Sequence, residues 1–131
     1  MDLIFMVDVS GSMDNHLPNV SSFIAELLSH FVISTTDMQV ALIRFARPAV
    51  LDWNLQSAET ANYSTLITNI DWTLNDTDTI GDINGGFEVA LDEVLDSDVD
   101  RPNVVDVVMV CGDGDSSPSV DELEEMRQHA R

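Results

Sequence analysis

Apolar residues along this chain fall into blocks whose spacing alternates between that of buried strands and that of amphipathic helices. Residues 3–9 form a short apolar run that ends at a polar turn containing glycine, which is typical of a strand buried on both faces. Apolar positions at helical spacing follow over residues 17–31, with Pro18 tolerated in the first turn. The pattern therefore predicts a strand followed by a helix.

The middle of the chain predicts two neighbouring strands and then two more helices. Residues 38–45 and 49–53 are separated by a link too short for a parallel crossover, so we expect these strands to be antiparallel. Residues 57–70 predict a weaker helix, and residues 75–81 form a polar loop. Residues 83–95 carry the apolar spacing of a good amphipathic helix.

A second apolar strand, residues 104–111, ends like the first in a polar turn rich in glycine. Ser119 and Glu122 then form a capping box, which predicts a final helix. Strands that alternate with helices indicate an α/β fold with a mostly parallel sheet and one antiparallel edge strand. Ligands of such sheets bind beyond the carboxyl ends of the strands, where both glycine-containing turns are expected.

Composition narrows the range of partners. The chain has 131 residues, 44% of them apolar, and a formal net charge of −19, so we expect one folded domain that does not bind nucleic acid. No apolar run approaches the roughly 20 residues of a membrane span, and the single cysteine excludes an intrachain disulfide. Abundant aspartate without lysine is typical of proteins adapted to high salt or of acidic extracellular proteins, and we favour an extracellular location.

Five polar residues, from three short segments, are candidate ligands of a divalent cation. Taken singly, each segment is typical of a hydrogen-bonded turn or a helix cap. Their positions at strand ends and before a helix place all three near one point. There, hydroxyls of Ser10, Ser12 and Thr77 would donate oxygen ligands, while Asp8 and Asp113 would hold water ligands. Such an oxygen set suits Mg²⁺, and neutral direct ligands would leave the ion able to bind an anion.

The order Asp8-Val9-Ser10-Gly11-Ser12, then Thr77, then Asp113-Gly114 resembles the von Willebrand factor type A domain with its metal-ion-dependent adhesion site. The resemblance covers essentially the whole chain. It implies a doubly wound, Rossmann-like sheet and a non-enzymatic adhesion domain in which Mg²⁺ or Mn²⁺ coordinates an Asp or Glu carboxylate of a partner protein. Asp78, Asp82 and Asp115 lie near the site in sequence and are not placed among the ligands, but such extra carboxylates would make Ca²⁺ an alternative. It also implies that the two serines and the threonine are direct or switchable ligands, and that the two aspartates bind directly or through water.

The stretch Arg101-Pro102-Asn103 is similar to that of the extracellular-matrix branch, such as matrilins and non-fibrillar collagens. This likeness implies a secreted module of a larger multidomain protein. Gly112 departs from the family pattern, because Thr or Ser usually precedes the Asp-Gly pair. Family members also run roughly a third longer, so we expect residues 1–131 to be a single, partial domain that lacks the last strands and helices. Residues 104–111 would then form an exposed apolar edge, and we expect aggregation or partner pairing.

Two other classes of protein share parts of this pattern. A type A module inside an intracellular, chelatase-like assembly would use the same metal site to dock a neighbouring subunit. A haloacid-dehalogenase-like phosphatase would use Asp8 as nucleophile, but it needs a second aspartate where this chain has Ser10, and a lysine, which this chain lacks. We therefore predict a binding domain rather than an enzyme.

Overall fold

The computed structural model describes residues 1–74, 81–113, 124, 127 and 128, and within them four strands form one open sheet. The strands are β1 (Asp2–Asp8), β2 (Val40–Phe45), β3 (Val50–Trp53) and β4 (Asp106–Cys111), in the spatial order β3-β2-β1-β4. β1 pairs in parallel with β2 and with β4, while β3 runs antiparallel to β2. The predicted mostly parallel sheet with one antiparallel edge strand is confirmed.

Helices cover both faces of the sheet because alternate residues of the buried strands point to opposite sides. Leu3, Phe5 and Val7 of β1 share one apolar cluster with α1 (Leu17–Leu28) and α2 (Tyr63–Leu74). Ile4 and Met6 share the other cluster with α3 (Ile83–Val89) and with the π-helical turn Ala90–Leu95 that continues it. This two-sided cover is the doubly wound arrangement that the resemblance implies.

The helix bounds differ from the predicted ones for local reasons. The helix expected over residues 57–70 begins later, at Tyr63, because the side chain of Asn62 accepts a hydrogen bond from the backbone N–H of Thr65 (2.9 Å) and caps the first turn. The helix expected over residues 83–95 changes to π geometry, with a backbone hydrogen bond from Asp96 N–H to Leu91 O of 2.8 Å. The predicted helix over residues 17–31 ends at Leu28.

Strand β4 lies at one edge of the described sheet, as expected, and it is only half-buried. Val110 is 42% exposed, whereas β1 is buried along its whole length. The strand also starts later than predicted, at Asp106, after a turn in which Asn103 takes a positive φ of 68°. The start of the predicted final helix, at Ser119, lies outside the described residues, although Glu124, Arg127 and Gln128 are helical.

Candidate metal centre

The candidate site lies beyond the carboxyl ends of β1 and β4. Cys111 of β4 is in register with Val7 of β1, so Gly112 follows at the level of Asp8. Asp8 is the last residue of β1, and a short 3₁₀ turn, Gly11–Met13, begins three residues later. The parallel register therefore brings the turn after β1 and the turn after β4 together.

Four of the five predicted ligands are linked by hydrogen bonds across these two turns. The Ser10 N–H donates to Asp8 Oδ1 (2.8 Å), and the hydroxyl oxygens of Ser10 and Ser12 lie 3.1 Å apart. The Ser12 hydroxyl in turn donates to Asp113 Oδ2 (2.5 Å), although the two residues are 101 positions apart in sequence. The structure thus brings Asp8, Ser10, Ser12 and Asp113 to one point.

Burial of these groups decreases outward from the sheet. Asp8 is 2% exposed and Ser10 is 9% exposed, whereas Ser12 and Asp113 are exposed. The inner carboxylate is held in place by a backbone amide, and the outer oxygens face solvent. A ligand arriving from outside would therefore meet Ser12 and Asp113 first.

The oxygen separations suit a small divalent cation. Adjacent ligands of an octahedral Mg²⁺ ion, each about 2.1 Å from the metal, lie about 3.0 Å from one another. The Ser10–Ser12 separation of 3.1 Å matches this edge, and the 2.5 Å contact to Asp113 needs only a small widening. Within the described part of the chain no three His, Cys, Asp or Glu side chains are grouped so as to hold a metal ion. A cation at this site would therefore depend on the hydroxyl oxygens as well as on the two carboxylates.

Thr77, the fifth predicted ligand, lies outside the described residues, and its role remains a prediction. On either side of it along the chain, α2 ends at Leu74 and α3 begins at Ile83. Asp82 caps α3, since its Oδ1 accepts from the Gly85 N–H (3.0 Å).

Gly112 has room for the side chain that the family pattern usually places there. A Cβ added at Gly112 would lie 3.4 Å from the Cβ of Asp8 and 3.6 Å from its Oδ2, which are ordinary contacts. The glycine is thus compatible with the fold without being required by it. Next to it, burial raises the pKa of the Cys111 thiol, which keeps the thiol protonated beside the site.

A cavity that the sequence did not reveal lies beside the metal-centre residues, between α1 and α2. Its volume is about 430 Å³, and Asp14 and Asp71 both line it. The two aspartates are far apart in sequence, and the pattern around each is typical of a solvated surface residue. No local pattern therefore predicts that they lie at the same cavity.

Sequence comparison identifies the fold family. The sequence profile of the von Willebrand factor type A domain matches residues 2–131. The chain belongs to this family. The predicted resemblance to the type A domain is therefore confirmed. The observed strand order agrees with it.

Several known proteins are similar to this type A domain. The mouse collagen alpha-1(XX) chain is 35% identical over 60 residues, which cover 45% of this chain and 4% of the collagen. This match agrees with the predicted likeness to the matrix branch. The structure of proximal thread matrix protein 1 from the mussel byssus superimposes with a TM-score of 0.80 at 24% identity, over 98% of this chain and 33% of that one.

Two further structures of type A proteins contain metal. One is the same mussel protein with zinc in its adhesion-site motif (TM-score 0.77, 23% identity, 98% of this chain and 33% of that one). The other is the manganese-loaded TRAP protein of Plasmodium vivax (TM-score 0.79, 17% identity, 99% of this chain and 54% of that one). At these identities the likeness establishes the fold. This type A domain spans only part of each relative.

Each helix among the described residues is too short or too polar to cross a lipid bilayer.

Proposed function

We propose that this type A domain is a metal-dependent protein-binding domain that functions in adhesion. Asp8, Ser10, Ser12, Thr77 and Asp113 would hold a divalent cation, Mg²⁺ or Mn²⁺ with Ca²⁺ as an alternative. When bound, the cation would coordinate an Asp or Glu carboxylate of a partner protein. The observation that carries this proposal is the series of hydrogen bonds that joins the Asp8 carboxylate to the Ser10 N–H, and the Ser10 hydroxyl through Ser12 to Asp113.

The hydroxyl ligands explain why such a site would seek an anion. Ser10 and Ser12 supply neutral oxygens, so they neutralise none of the charge of a divalent ion. Asp8 is held inward by the Ser10 amide, which favours a position behind the outer ligands. The exposed Ser12 and Asp113 leave the outer side of the site open to a carboxylate.

Several features support binding rather than catalysis. A phosphatase of the alternative class would attack with Asp8, but that residue is 2% exposed and is held by a backbone amide. Ser10 stands where the general acid would be, and no lysine is available to hold a phosphoryl group. We therefore propose a non-enzymatic role.

The setting of this domain is proposed from its relatives. The similar collagen chain and the mussel byssus matrix protein favour an extracellular-matrix location. The small fraction of each relative that this chain spans supports a module of a larger multidomain protein. The partner would be a protein with an accessible acidic side chain, because the cation would coordinate its carboxylate. Nucleic acid is disfavoured by the net charge of −19.

Calorimetric titration of Mg²⁺, Mn²⁺ and Ca²⁺ into chelator-stripped protein tests the site. The Ser12→Ala variant removes the hydroxyl that joins Ser10 to Asp113, and we expect it to weaken binding by about tenfold or more. Ser64→Ala, at an exposed serine of α2, is the matched control and should bind like the parent. Equal isotherms for all three folded proteins would refute the assignment.

The carboxylate requirement needs a second assay. Beads carrying peptides with one glutamate should retain the protein in Mg²⁺ and release it in chelator, whereas the same peptides with glutamine should not retain it. Retention that is independent of the glutamate, or of the metal, would contradict the proposed function.

A further inference from the structure

The cavity between α1 and α2 has a mixed lining. Leu17, Pro18 and Leu74 form an apolar wall, and Asp14 and Asp71 supply two exposed carboxylates. Its volume of about 430 Å³ falls within the roughly 300–1,000 Å³ of ligand pockets. The two helices that form it are joined by a hydrogen bond from Tyr63 Oη to Ala25 O (3.1 Å). The cavity is thus a formed feature of this face.

The side chain of Ser21 also lines the cavity. Ser21 is only 4% exposed, and its side chain makes no hydrogen bond within the described part of the chain. Its neighbour Ser22, by contrast, donates to Pro18 O (3.0 Å). The Ser21 hydroxyl is therefore available at the cavity surface to a ligand with hydrogen-bonding groups.

The cavity adjoins the metal-centre residues along the chain. Asp14 follows Ser12 by two residues, so their Cα atoms are at most about 7 Å apart. On the other wall, Leu74 precedes the predicted ligand Thr77 by three residues. One extended peptide advances about 3.4 Å per residue, so a partner segment can reach both places with neighbouring side chains.

We propose that this cavity binds an arginine side chain of the same partner whose carboxylate would be held at the metal centre. This proposal rests on the proposed function. Leu17 and Leu74 would pack against the methylene stem, while Asp14 and Asp71 would accept hydrogen bonds from the guanidinium. The Ser21 hydroxyl offers a further acceptor. Arginine fits better than lysine, because its guanidinium is more weakly hydrated and has five donors.

A metal-free experiment tests the cavity by itself. Agmatine, which carries a guanidinium and no carboxylate, is titrated into ¹⁵N-labelled protein in chelator. Shifts of amide signals should be confined to the residues that line the cavity. Asp71→Asn should weaken agmatine binding roughly three- to tenfold, whereas Asp92→Asn, at an exposed acid outside the cavity, should not. Shifts elsewhere, no shifts, or equal affinities in both variants would overturn the assignment.

A peptide experiment tests the link to the metal centre. Bead-bound peptides carry one glutamate and, two residues away, either arginine or its neutral isostere citrulline. In Mg²⁺ the arginine peptide should retain the parent and Asp92→Asn roughly three- to tenfold better than the citrulline peptide, and Asp71→Asn should lose this preference. Glutamate-dependent retention without any arginine preference overturns the cavity assignment and leaves the proposed function standing. Absence of all glutamate-dependent retention overturns the proposed function, and this inference with it.

Discussion

The ion pair between Asp2 and Arg101 holds β1 and β4 in register at the end of the sheet opposite the candidate metal centre. Asp2 is fully buried, and its carboxylate accepts from Arg101 Nε (2.9 Å), from a terminal nitrogen of the same guanidinium, and from the Gln39 N–H (2.8 Å). The hydrogen bond with Asp2 also raises the pKa of Arg101. Arg101 further donates to the carbonyls of Thr36 and Asp37 (2.9 and 2.6 Å).

Arg101→Met keeps about the aliphatic stem of the side chain and removes the guanidinium with its charge. The carboxylate of Asp2 then stays buried with one donor, and breaking a buried pair in this way costs about 3–5 kcal/mol. The carbonyls of Thr36 and Asp37 belong to exposed residues and can bind water, so they add little. We therefore expect the free energy of unfolding to fall by about 3–5 kcal/mol, a large part of the stability of a small domain.

Urea denaturation followed by circular dichroism measures this loss. Arg127→Met is the control, since Arg127 pairs with Glu124 at 3.5 Å on the surface and should contribute at most about 1 kcal/mol. Asp2→Asn combined with Arg101→Met removes both charges and should be more stable than Arg101→Met alone by at least about 1 kcal/mol. Two results would refute this reasoning: Arg101→Met unfolds at the same urea concentration as Arg127→Met, or the double variant is no more stable than Arg101→Met. In either case the ion pair would not hold the register.

Three other changes test the packing around the site. Gly86→Ala should lower the free energy of unfolding by about 1–3 kcal/mol in urea, because the new Cβ would lie 2.9 Å from the Cβ of Phe45; unchanged stability would mean that α3 shifts freely. Gly112→Ser should leave stability within about 1 kcal/mol and tighten Mg²⁺ binding in calorimetry, since its hydroxyl can reach Asp8; weaker binding would contradict this. Cys111 should react more slowly with iodoacetamide in the native protein than in urea, because burial raises its pKa. As pH rises, the thiol of Cys111 loses its proton in the unfolded chain before it does so in the folded protein. The free energy of unfolding should therefore fall as pH rises above about 8.5, and an increase in that range would contradict the buried thiol.

Periodicity predicted the strands and helices well where burial is complete. The apolar run at residues 3–9 corresponds to β1, and the short link before residue 49 correctly predicted the antiparallel β3. Helix α2 was displaced, because the cap at Asn62 competes with the weaker apolar spacing over residues 57–62. The π-helical turn Ala90–Leu95 was not foreseen, since all six of its residues fit an ordinary helix as well.

The candidate metal centre was predictable because its ligands stand in short motifs at strand ends. Ser10 and Ser12 are two residues apart, and their proximity follows from local spacing alone. The contact of Ser12 with Asp113 needed the further inference that both preceding strands are parallel and adjacent. The acidic cavity had no such support, because Asp14 lies in the turn before α1 and Asp71 lies in α2, and no motif relates the two.

The alternation of strands and helices, the family, and the oxygen-bearing side chains of the turns all follow from the amino-acid sequence alone. These properties depend on side-chain spacing and identity, which are local. Packing of the folded chain establishes the register that sets Gly112 at the level of Asp8, the inward burial of Asp8, and the pairing of α1 with α2 around a cavity. Those features arise from packing between segments distant in sequence, where the gain from burying apolar surface selects one arrangement among many with similar local preferences.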